Sequence, residues 1–549
     1  MSTLAVVSLL AAVAVVGLIA YDVLQRQHAI LHNFPIIGHF RFLLESIGPE
    51  LRQYIVTSND EERPFSRDQR AWIYTSSKRR NNYFGFGTDN DLEVSPSYLI
   101  IKHRSLGLPP PPGFEGADHT YPIPCAKVIG GHRGRRHAFR PASIVNVSGM
   151  SFGSLSGPAV EALNRGARLA GCLQSTGEGG IAPYHRHGGE LVWQIGTGYF
   201  GCRDVDGRFS LARFRETVAS APVRAIEIKL SQGAKPGLGG VLPGAKVTAE
   251  IAAIRGVPAG QDCLSPATHS AFRDPDGLLD FVEQLADETG LPVGIKSAVG
   301  DTAFWEEMAR LMATTDRGVD FITIDGGEGG TGAGPLVFTD HVALPFKIGF
   351  SRVYRVMAEH GLHHRVVFVG SGKLGFPQQA LLALGLGCDL INVGREALLS
   401  IGCIQAQRCH TGHCPTGVAT QSRWLMAGLD PTLKSARLAN YVVTMRKELL
   451  ALAHACGVPH PALVGTDQLE ILDDRFGSRP IADVFGYAPD WGLPGEDARV
   501  AISHIMYGDG MHADGPIRVG ATGDGAPRGA AAGRVTRGGA GHGTGSGID

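Results

Sequence analysis

Three cysteines lie within twelve residues of one another in the segment 403–421, with the spacing C-x5-C-x4-C. Thiolates this close together can bind a metal ion or an iron–sulfur cluster. With His410 or His413 as a fourth ligand, the segment would form a structural zinc site. With the three thiolates alone, it would hold an iron–sulfur cluster that lacks one iron, because a four-iron cluster requires four cysteines. The spacing leaves both hypotheses open.

Upstream of the cysteines, short apolar runs alternate with helical stretches, and eight of these runs are candidate strands. Apolar runs that are each followed by a helix are typical of parallel strands buried on both faces. Eight repeats over about 250 residues favour an α/β fold of the (β/α)8 TIM-barrel type over an open doubly wound sheet. The predicted strands are 143–147, 172–175, 225–230, 262–264, 293–296, 321–325, 366–369 and 390–393.

Glycine-rich sequences follow six of the predicted strands. Any one of them alone would be explained by a tight turn, but six at the same position of the repeat are harder to explain in that way. Because the active sites of such barrels lie at the C-terminal ends of the strands, we predict the site there. The sequences begin at Ser148 (SGMSFG), Thr176 (TGEGG), Ser231 (SQGAKPGLGG), Asp325 (DGGEGGTG), Gly370 (GSGK) and Gly394 (GR).

The last two predicted strands end where barrels commonly bind a phosphate. Gly370, Gly372 and Gly394 would present backbone N–H groups there, and Lys373 and Arg395 would add positive charge. This pattern indicates a phosphorylated cofactor such as FMN. The cysteine segment begins about ten residues after the eighth strand, which favours a cluster that delivers electrons to a flavin over a remote zinc site.

Two lysines, Lys229 and Lys235, accompany the third predicted strand. A lysine in an apolar run such as AIEIKL is usually an edge-strand residue or one whose ammonium reaches solvent. In a central strand, the ammonium requires an anionic partner or ligand. Lys229, Lys235 and Arg255 could then hold a dicarboxylate. The residues alone leave both interpretations open.

The N-terminal residues 3–21 include no charged side chain. As a helix they would extend about 28 Å, close to the thickness of the bilayer core. A signal peptide is the alternative, but no basic region precedes the segment and no good small-x-small cleavage site follows it, which favours an uncleaved anchor. Arg26, Arg41 and Arg52 follow the segment. The positive-inside rule therefore predicts a single-pass cell-membrane protein whose catalytic domain is cytoplasmic.

The composition is that of a globular protein, with 43% hydrophobic and 19% charged residues. A formal net charge of −1 argues against a nucleic-acid partner. Nine scattered cysteines indicate a reducing compartment. The predicted regions are a transmembrane anchor (1–24), a helical or irregular region (25–130), the barrel with the cysteine segment (131–456), a C-terminal extension (457–518) and a disordered glycine-rich tail (519–549).

The sequence resembles the FMN-binding synthase domain of glutamate synthases over residues 141–421. The shared motifs are SGMSFGSLS, STGEGG, EIKLSQGAKPGLGG, DGGEGGTGAGP and CIQAQRCHTGHCPTGVATQ, and the last two are long and specific. The layout is most similar to stand-alone, membrane-anchored members of the family, whose N-terminal region resembles FPIIGHFRFLLESIGPELRQY and EERPFSRDQRAWIY.

The resemblance implies a role for individual residues. Cys403, Cys409 and Cys414 would bind a three-iron, four-sulfur (3Fe-4S) cluster. Reduced FMN would pass a hydride to the imine of 2-oxoglutarate to give L-glutamate, while the cluster relays electrons to FMN. The residues expected to hold or contact the substrate are Lys229, Lys235, Arg255 and Glu178. Those expected to contact FMN are Met150, Ser151, Lys296, Gly326, Gly327, Gly370, Gly372, Gly394 and Arg395.

The sequence departs from the family pattern at Leu238 and Val241, where Glu and Gln are usual, and at Gly412, where Asn is usual. No segment resembles the glutaminase domain, so we expect ammonia from solution, from another subunit, or a different amino donor. The expected electron donor is a reduced ferredoxin. Two alternatives remain: an N-methylglutamate-type synthase that uses methylamine, and a membrane-tethered electron-transfer subunit without turnover. A 2-hydroxy-acid oxidase is disfavoured because no His–Arg pair occurs late in the barrel.

Overall fold

The computed structural model describes residues 2–25, 31, 34–51, 61–83, 85–88, 90–92, 95, 97–110, 120–473 and 477–508. The predicted glycine-rich tail, 519–549, lies outside the described residues, as do Arg26 and Arg52. In chain order the strands are β1 (Leu99–Ile101), β2 (Val145–Val147), β3 (Gln174–Ser175), β4 (Leu191–Ile195), β5 (Val223–Lys229), β6 (Val241–Leu242), β7 (Cys263–Leu264), β8 (Val293–Ser297), β9 (Phe321–Asp325), β10 (Val367–Ser371), β11 (Leu390–Val393), β12 (Leu469–Leu472) and β13 (Ser478–Pro480).

Eight of these strands close into a parallel barrel, in the order β10-β11-β2-β3-β4-β5-β8-β9. The predicted (β/α)8 architecture is therefore confirmed. The barrel strands are buried almost throughout, as expected for a sheet covered by helices on one face and packed against itself on the other.

One predicted strand was wrong and one barrel strand was missed. The run 262–264 forms β7, which pairs antiparallel with β6 in a separate two-stranded sheet. In its expected place, β5 pairs directly with β8. The missed barrel strand is β4, which lies one position earlier and pairs in parallel with β3 and with β5. A short apolar run indicates burial, but it carries no information on which strand it pairs with, and this explains both errors.

Helices surround the barrel, and further helices lie in the N-terminal region. Their boundaries follow capping residues: α4 begins at Ser156, whose side chain accepts the N–H of Ala159, and ends at Gly171, which has φ 64°. The helices are α1 (Thr3–Leu24), α2 (Ile37–Leu51), α3 (Arg67–Ser77), α4 (Gly157–Ala170), α5 (Leu211–Ala219), α6 (Ala249–Arg255), α7 (Pro275–Thr289), α8 (Ala303–Thr314), α9 (Leu336–His341), α10 (Phe346–Glu359), α11 (Pro377–Gly385), α12 (Arg395–Ser400), α13 (Arg423–Met426), α14 (Pro431–Ala455), α15 (Ile481–Phe485) and α16 (Glu496–Tyr507).

The N-terminal helix α1 is long and apolar enough to cross a membrane, with a mean hydropathy of 2.7 over its most apolar stretch, none of which is buried. Length and composition are the only grounds for this, and a signal sequence would have the same properties. The α1 helix therefore remains a candidate membrane span. The C-terminal extension contributes β12 and β13, which form a three-stranded antiparallel sheet with β1.

The barrel interior holds a hydrogen-bonded polar group rather than apolar side chains alone. Glu227 of β5 is buried and accepts hydrogen bonds from Gln194 of β4 (2.5 Å) and Thr323 of β9 (2.6 Å). Because both carboxylate oxygens have a donor, the buried acid does not need a ligand. This group links three strands across the barrel.

Candidate active site

Lys229 and Glu178 form an ion pair at the C-terminal end of the barrel. Lys229 is the last residue of β5, and Glu178 lies in the loop after β3; their Nζ and Oε1 atoms are 2.8 Å apart. The Lys229 ammonium also donates to Oε1 of Gln232 at 3.1 Å. Because β5 has a neighbour on both sides in a closed barrel, the edge-strand interpretation of Lys229 is excluded.

Lys235 lies beside this pair but has a weaker partner. Only 3% of Lys235 is exposed, and its Nζ donates to the carbonyl oxygen of Gly239 at 2.8 Å. Burial lowers the pKa of Lys235, an effect that Glu178 opposes and Lys229 reinforces. A buried ammonium that is bonded to a carbonyl rather than to a carboxylate of its own favours the binding of an anion.

Glu178 is the carboxylate that these cations share. Burial raises the pKa of Glu178, but Lys229, Arg255 and Lys235 together outweigh burial and hold that pKa below its ordinary value. The group thus contains three cations and one ionised carboxylate. The group therefore carries surplus positive charge, which favours an anionic ligand.

Arg255, at the end of α6, supports the site from behind. Its guanidinium donates to the carbonyl oxygen of Phe152 at 2.9 Å and lies 5.0 Å from the centre of the Phe200 ring. It therefore holds the loop after β2 in place and acts on the pocket through its charge on Glu178. The predicted role of Arg255 as a direct substrate ligand stays a prediction.

The loops after β2 and β3 lie against each other. A side chain at Gly177 would place its Cβ 2.5 Å from the backbone nitrogen of Ser151, so only glycine fits this position. Met150 and Ser151 therefore border the loop that carries Glu178. Their predicted contact with a cofactor stays a prediction.

Asp325, which sequence reasoning did not single out as a site residue, connects three of the predicted site loops. Its Oδ2 atom accepts the N–H of Gly233 at 2.8 Å and lies 3.6 Å from Nζ of Lys296, while Oδ1 accepts the hydroxyl of Ser371 at 2.7 Å. The carboxylate thus fixes the ends of β8, β9 and β10 relative to the loop that carries Lys235. The available sequence signal was that this aspartate ends the strand and begins the motif DGGEGG.

The ends of β10 and β11 form a donor-rich surface suited to a phosphate. The two strands pair with Ser371 opposite Asn392, so the residues that follow them lie side by side. Among the described residues, no protein oxygen accepts the backbone N–H groups of Gly372, Lys373, Gly394 or Arg395. These N–H groups are therefore available to a ligand.

Two cations reinforce this surface. Nζ of Lys373 and Cζ of Arg395 lie 5.3 Å and 5.1 Å from the centre of the same Phe65 ring. Burial lowers the pKa of Lys373, and the nearby charges of Arg395 and Arg63 lower it further. Two cationic residues that also carry free backbone N–H groups fit a phosphate dianion.

Three of the glycines predicted to contact the cofactor have other tasks in the structure. The N–H groups of Gly326 and Gly327 donate to the carbonyl oxygens of Ser371 (2.8 Å) and Leu344 (2.9 Å). Gly370 lies within β10, where a Cβ would come within 2.8 Å of the Leu374 side chain. The other two glycines predicted to contact the cofactor, Gly372 and Gly394, have N–H groups that donate to no backbone oxygen of the described residues.

The three cysteines of residues 403–421 lie in one neighbourhood with hydrogen-bond donors on two of the sulfurs. Burial raises the pKa of Cys403 to about 12, and the neighbouring Cys409 and Cys414 also raise it. Burial raises the pKa of Cys414 too, but backbone donors that include the N–H groups of Ala419 and Val418 bring it below its ordinary value. Within the described ranges, no group of three or more Cys, His, Asp or Glu side chains is arranged to hold a metal ion.

Lys246, another residue without a predicted role, touches the cysteine segment. Its buried ammonium donates to the carbonyl oxygens of Cys409 (2.7 Å) and Ala419 (3.3 Å). Burial lowers the pKa of Lys246, whereas the charges of Cys409 and Cys414 oppose that change. Two thiols with N–H donors, a third thiol beside them and a buried cation next to the segment are chemically suited to an anionic iron–sulfur cluster.

The N-terminal region holds the cysteine segment from outside. Gln405 accepts the N–H of Phe65 at 3.1 Å and donates to the Phe65 carbonyl at 3.0 Å. The hydroxyl of Tyr74 in α3 donates to the carbonyl of Cys403 at 2.8 Å. The residues before and within α3 thus pack on the outside of the predicted cluster site.

The fold and the site together define a TIM-barrel protein with a cationic pocket and a cysteine segment at one end of the barrel. Residues 131–459 match the sequence profile described as a conserved region in glutamate synthase. The chain belongs to this glutamate synthase family.

Relatives of known name agree with this assignment. The chain is similar to the glutamate synthase large subunit-like protein YerD of Bacillus subtilis (strain 168), with 38% identity over 80% of this chain and 89% of YerD. It is 36% identical to the archaeal glutamate synthase (NADPH) of Methanocaldococcus jannaschii over 57% of this chain and 59% of that protein. A solved structure of a flavocytochrome b2 variant with sulfite bound is 13% identical, covers 84% of this chain and 91% of that one, and has a TM-score of 0.40, a likeness too weak to carry an argument.

Proposed function

We propose that this protein is a glutamate synthase-like oxidoreductase that reduces the imine of 2-oxoglutarate to L-glutamate, with FMN and a 3Fe-4S cluster as cofactors. The observation that carries the proposal is the sharing of one carboxylate, Glu178, by the buried lysines Lys229 and Lys235. Membership of the glutamate synthase family supports the reaction class. The archaeal relative, whose name includes NADPH, is matched over only 59% of its length, so its complete activity is part of the proposal.

The lysines hold the anionic substrate. A 2-oxo acid condenses with ammonia and releases water to give the imine; the imine carbon then accepts a hydride and the nitrogen accepts a proton, which yields the amino acid. The ammonium of Lys235 binds a substrate carboxylate by a charge-assisted hydrogen bond, and Lys229 keeps Glu178 ionised beside it. Fixing a substrate carboxylate at Lys235 limits the orientations that the reacting carbon can take.

The free N–H groups after β10 and β11, with Lys373 and Arg395, would hold the phosphate of FMN. Cys403, Cys409 and Cys414 would hold the cluster, with Lys246 beside it. When bound, FMN supplies the hydride and the cluster supplies electrons that come from an external donor such as a reduced ferredoxin. Asp325 holds Lys296 and the loop that carries Lys235 in position.

We further propose that α1 anchors the chain in the cell membrane as a single span, with the catalytic domain in the cytoplasm. The support is physical: none of the residues that the structure describes covers the most apolar stretch of α1. Exposing so many apolar side chains to water is unfavourable in free energy, and insertion of the helix into a bilayer would bury them.

A second candidate substrate pair is favoured by one observation. The backbone of Gly239 and Gly240 contacts Lys235 and approaches Glu178, yet the flanking Leu238 and Val241 are apolar and exposed. A less polar amino donor such as methylamine, which gives N-methylglutamate, would fit this surface. Supplying ammonia or methylamine separately with 2-oxoglutarate and identifying the product by mass spectrometry separates the two candidates.

Variants distinguish an enzyme from an electron-transfer subunit without turnover. If the protein is an enzyme, Lys229→Ala and Lys235→Ala each abolish product formation but leave flavin and iron bound. If it only transfers electrons, both lysine variants retain full activity in the complete system, whereas Cys409→Ser abolishes it. Full activity of both lysine variants would contradict the proposed enzyme.

A further inference from the structure

The helix α2 turns an apolar stripe away from the protein. Its residues recur at intervals of three and four positions, so they lie on one side of the helix. A helix of a soluble protein buries such a stripe against the core, but here the five side chains are between 38% and 73% exposed. They are Ile37, Phe40, Leu44, Ile47 and Leu51.

The start of α2 is joined to the end of α1 by a buried polar contact. Asp22 accepts the backbone N–H of Ile36 at 2.9 Å and lies 2.9 Å from Nε2 of His39. The side chain of Asp22 is fully shielded from solvent. The contact fixes the start of α2 at the last turn of α1, and the exposed stripe begins at the next residue, Ile37.

We propose that α2 is an interfacial helix whose stripe lies in the lipid headgroup and upper acyl region of the membrane. This inference rests on the proposed membrane anchor. At 1.5 Å per residue, the 22 residues of α1 span about 33 Å, so Asp22 comes to the surface of a bilayer core of about 30 Å. The Asp22 contact then brings α2 to the same level.

Continuity with α1 favours lipid over a second copy of the chain as the partner of the stripe. The apolar side chains of α1 are exposed along the whole helix, from Leu4 to Leu24. If lipid surrounds α1, the apolar face of α2, which begins at the end of α1, lies next to the same lipid. Amphipathic helices bind membranes in this way, with the apolar face buried by about 5–10 Å.

The other end of α2 contacts the cysteine segment. The Glu50 carboxylate lies 2.9 Å from a guanidinium nitrogen of Arg408, between Cys403 and Cys409 in sequence. An interfacial α2 therefore holds the cysteine segment on the side of the barrel that faces the membrane. Electron donors would reach the cluster from that side.

Tryptophan fluorescence in vesicles tests the position of α2. Phe40→Trp and Ile47→Trp place a reporter on the stripe of the full-length holoprotein, and Ser46→Trp places one at an exposed position on the other side of the helix. The proteins are reconstituted into phosphatidylcholine and phosphatidylglycerol vesicles whose acyl chains carry bromine near the headgroup. Subtracting the emission of the parent protein, which has five tryptophans, isolates each reporter.

The expected result is quenching of the Phe40→Trp and Ile47→Trp reporters that is at least about twofold stronger than that of Ser46→Trp. Equal quenching of all three in protein that floats with the vesicles would overturn the interfacial helix and leave the anchor standing. Failure of the protein to float would overturn both proposals. If the emission of the stripe reporters changes with protein concentration and is not quenched by brominated lipid, lipid is not the partner of the stripe, and a second copy of the chain is indicated. The flavin and iron content of the same samples reports separately on the proposed enzyme.

Discussion

The Nζ atom of Lys229 lies 2.8 Å from Oε1 of Glu178, at the end of a strand with neighbours on both sides. The neighbouring Lys235 has a backbone carbonyl, that of Gly239, as its hydrogen-bond acceptor. The site is therefore balanced internally at one lysine and open to an anion at the other. That difference determines what each substitution is expected to do.

Replacing Glu178 with Gln removes the charge that compensates Lys229. We expect a loss of about 1.5–3 kcal/mol in the free energy of unfolding near neutral pH, because a buried charged hydrogen bond is weakened. Since the pKa of Glu178 in the folded protein is below its ordinary 4.5, the stabilisation is complete above that value and is lost as the pH falls through the lowered pKa. Urea unfolding of both proteins over the acid range measures it.

The control for this prediction is Glu307→Gln, which removes the partner of the exposed Arg310. Solvent screens that pair, so a much smaller change is expected. An equal effect of the two substitutions at neutral pH would contradict the role assigned to Glu178.

The affinity for 2-oxoglutarate is expected to weaken as the pH rises. The transition should occur at a lower pH than the pKa of an ordinary lysine. Burial lowers the pKa of Lys235 below its usual 10.5, so its ammonium loses the proton, and the hold on the carboxylate, earlier. Isothermal titration across the alkaline range gives the profile. The Lys235→Arg variant keeps its charge and is expected to lose this pH dependence; an unchanged profile in Lys235→Arg would exclude Lys235 as its source.

Removing a cation beside the ends of β10 and β11 is expected to weaken FMN binding. Lys373→Ala and Arg395→Ala each remove a charge-assisted contact worth about 1.5–3 kcal/mol, which corresponds to roughly 10- to 150-fold in the dissociation constant. Titration of flavin-free protein with FMN, followed by flavin fluorescence, measures the change. Arg352→Ala on the exposed side of α10 serves as the control, and affinities equal to that control would place the phosphate elsewhere.

Lys246 is expected to raise the reduction potential of the cluster. Reduction adds a negative charge, which a buried ammonium beside the Cys409 carbonyl stabilises. Lys246→Met therefore shifts the potential to a more negative value, as followed by EPR during a redox titration. Lys102→Met, which removes a surface partner of Glu470, controls for a general charge effect; a potential unchanged in Lys246→Met would show that the cluster does not lie beside this lysine.

Much of the architecture follows from local patterns in the sequence. Parallel strands that are buried on both faces leave an apolar run before each glycine-rich loop. This signal placed the end of β9 at Asp325, and it placed the end of β5 at residue 230, one residue beyond the observed end at Lys229. It failed where pairing matters, because β4 and β7 are both short apolar runs and only contact with β3 and β5 makes the first a barrel strand.

The contacts of the candidate site were less accessible from sequence than the residue types. Lys246 contacts the cysteine segment from 163 residues earlier in the chain, by a hydrogen bond to Cys409. Gln405, which lies in that segment, bonds to Phe65 in the N-terminal region. Gly326, Gly327 and Gly372 all lie in glycine-rich sequences that follow barrel strands. In the folded protein, however, the N–H groups of Gly326 and Gly327 donate to backbone carbonyls, and that of Gly372 donates to none within the described ranges. Tertiary hydrogen bonding, which no local motif encodes, decides which glycine can meet a ligand.

Anaerobic purification followed by spectra and an assay tests the central claim most directly. The full-length protein is examined by visible and EPR spectroscopy and then supplied with 2-oxoglutarate, ammonia and an artificial reductant. The account predicts flavin absorbance with an iron–sulfur shoulder, an EPR signal of a three-iron cluster, and L-glutamate formed in proportion to the electrons supplied. Protein that stays colourless and iron-free after anaerobic reconstitution, and forms no amino acid, would contradict it.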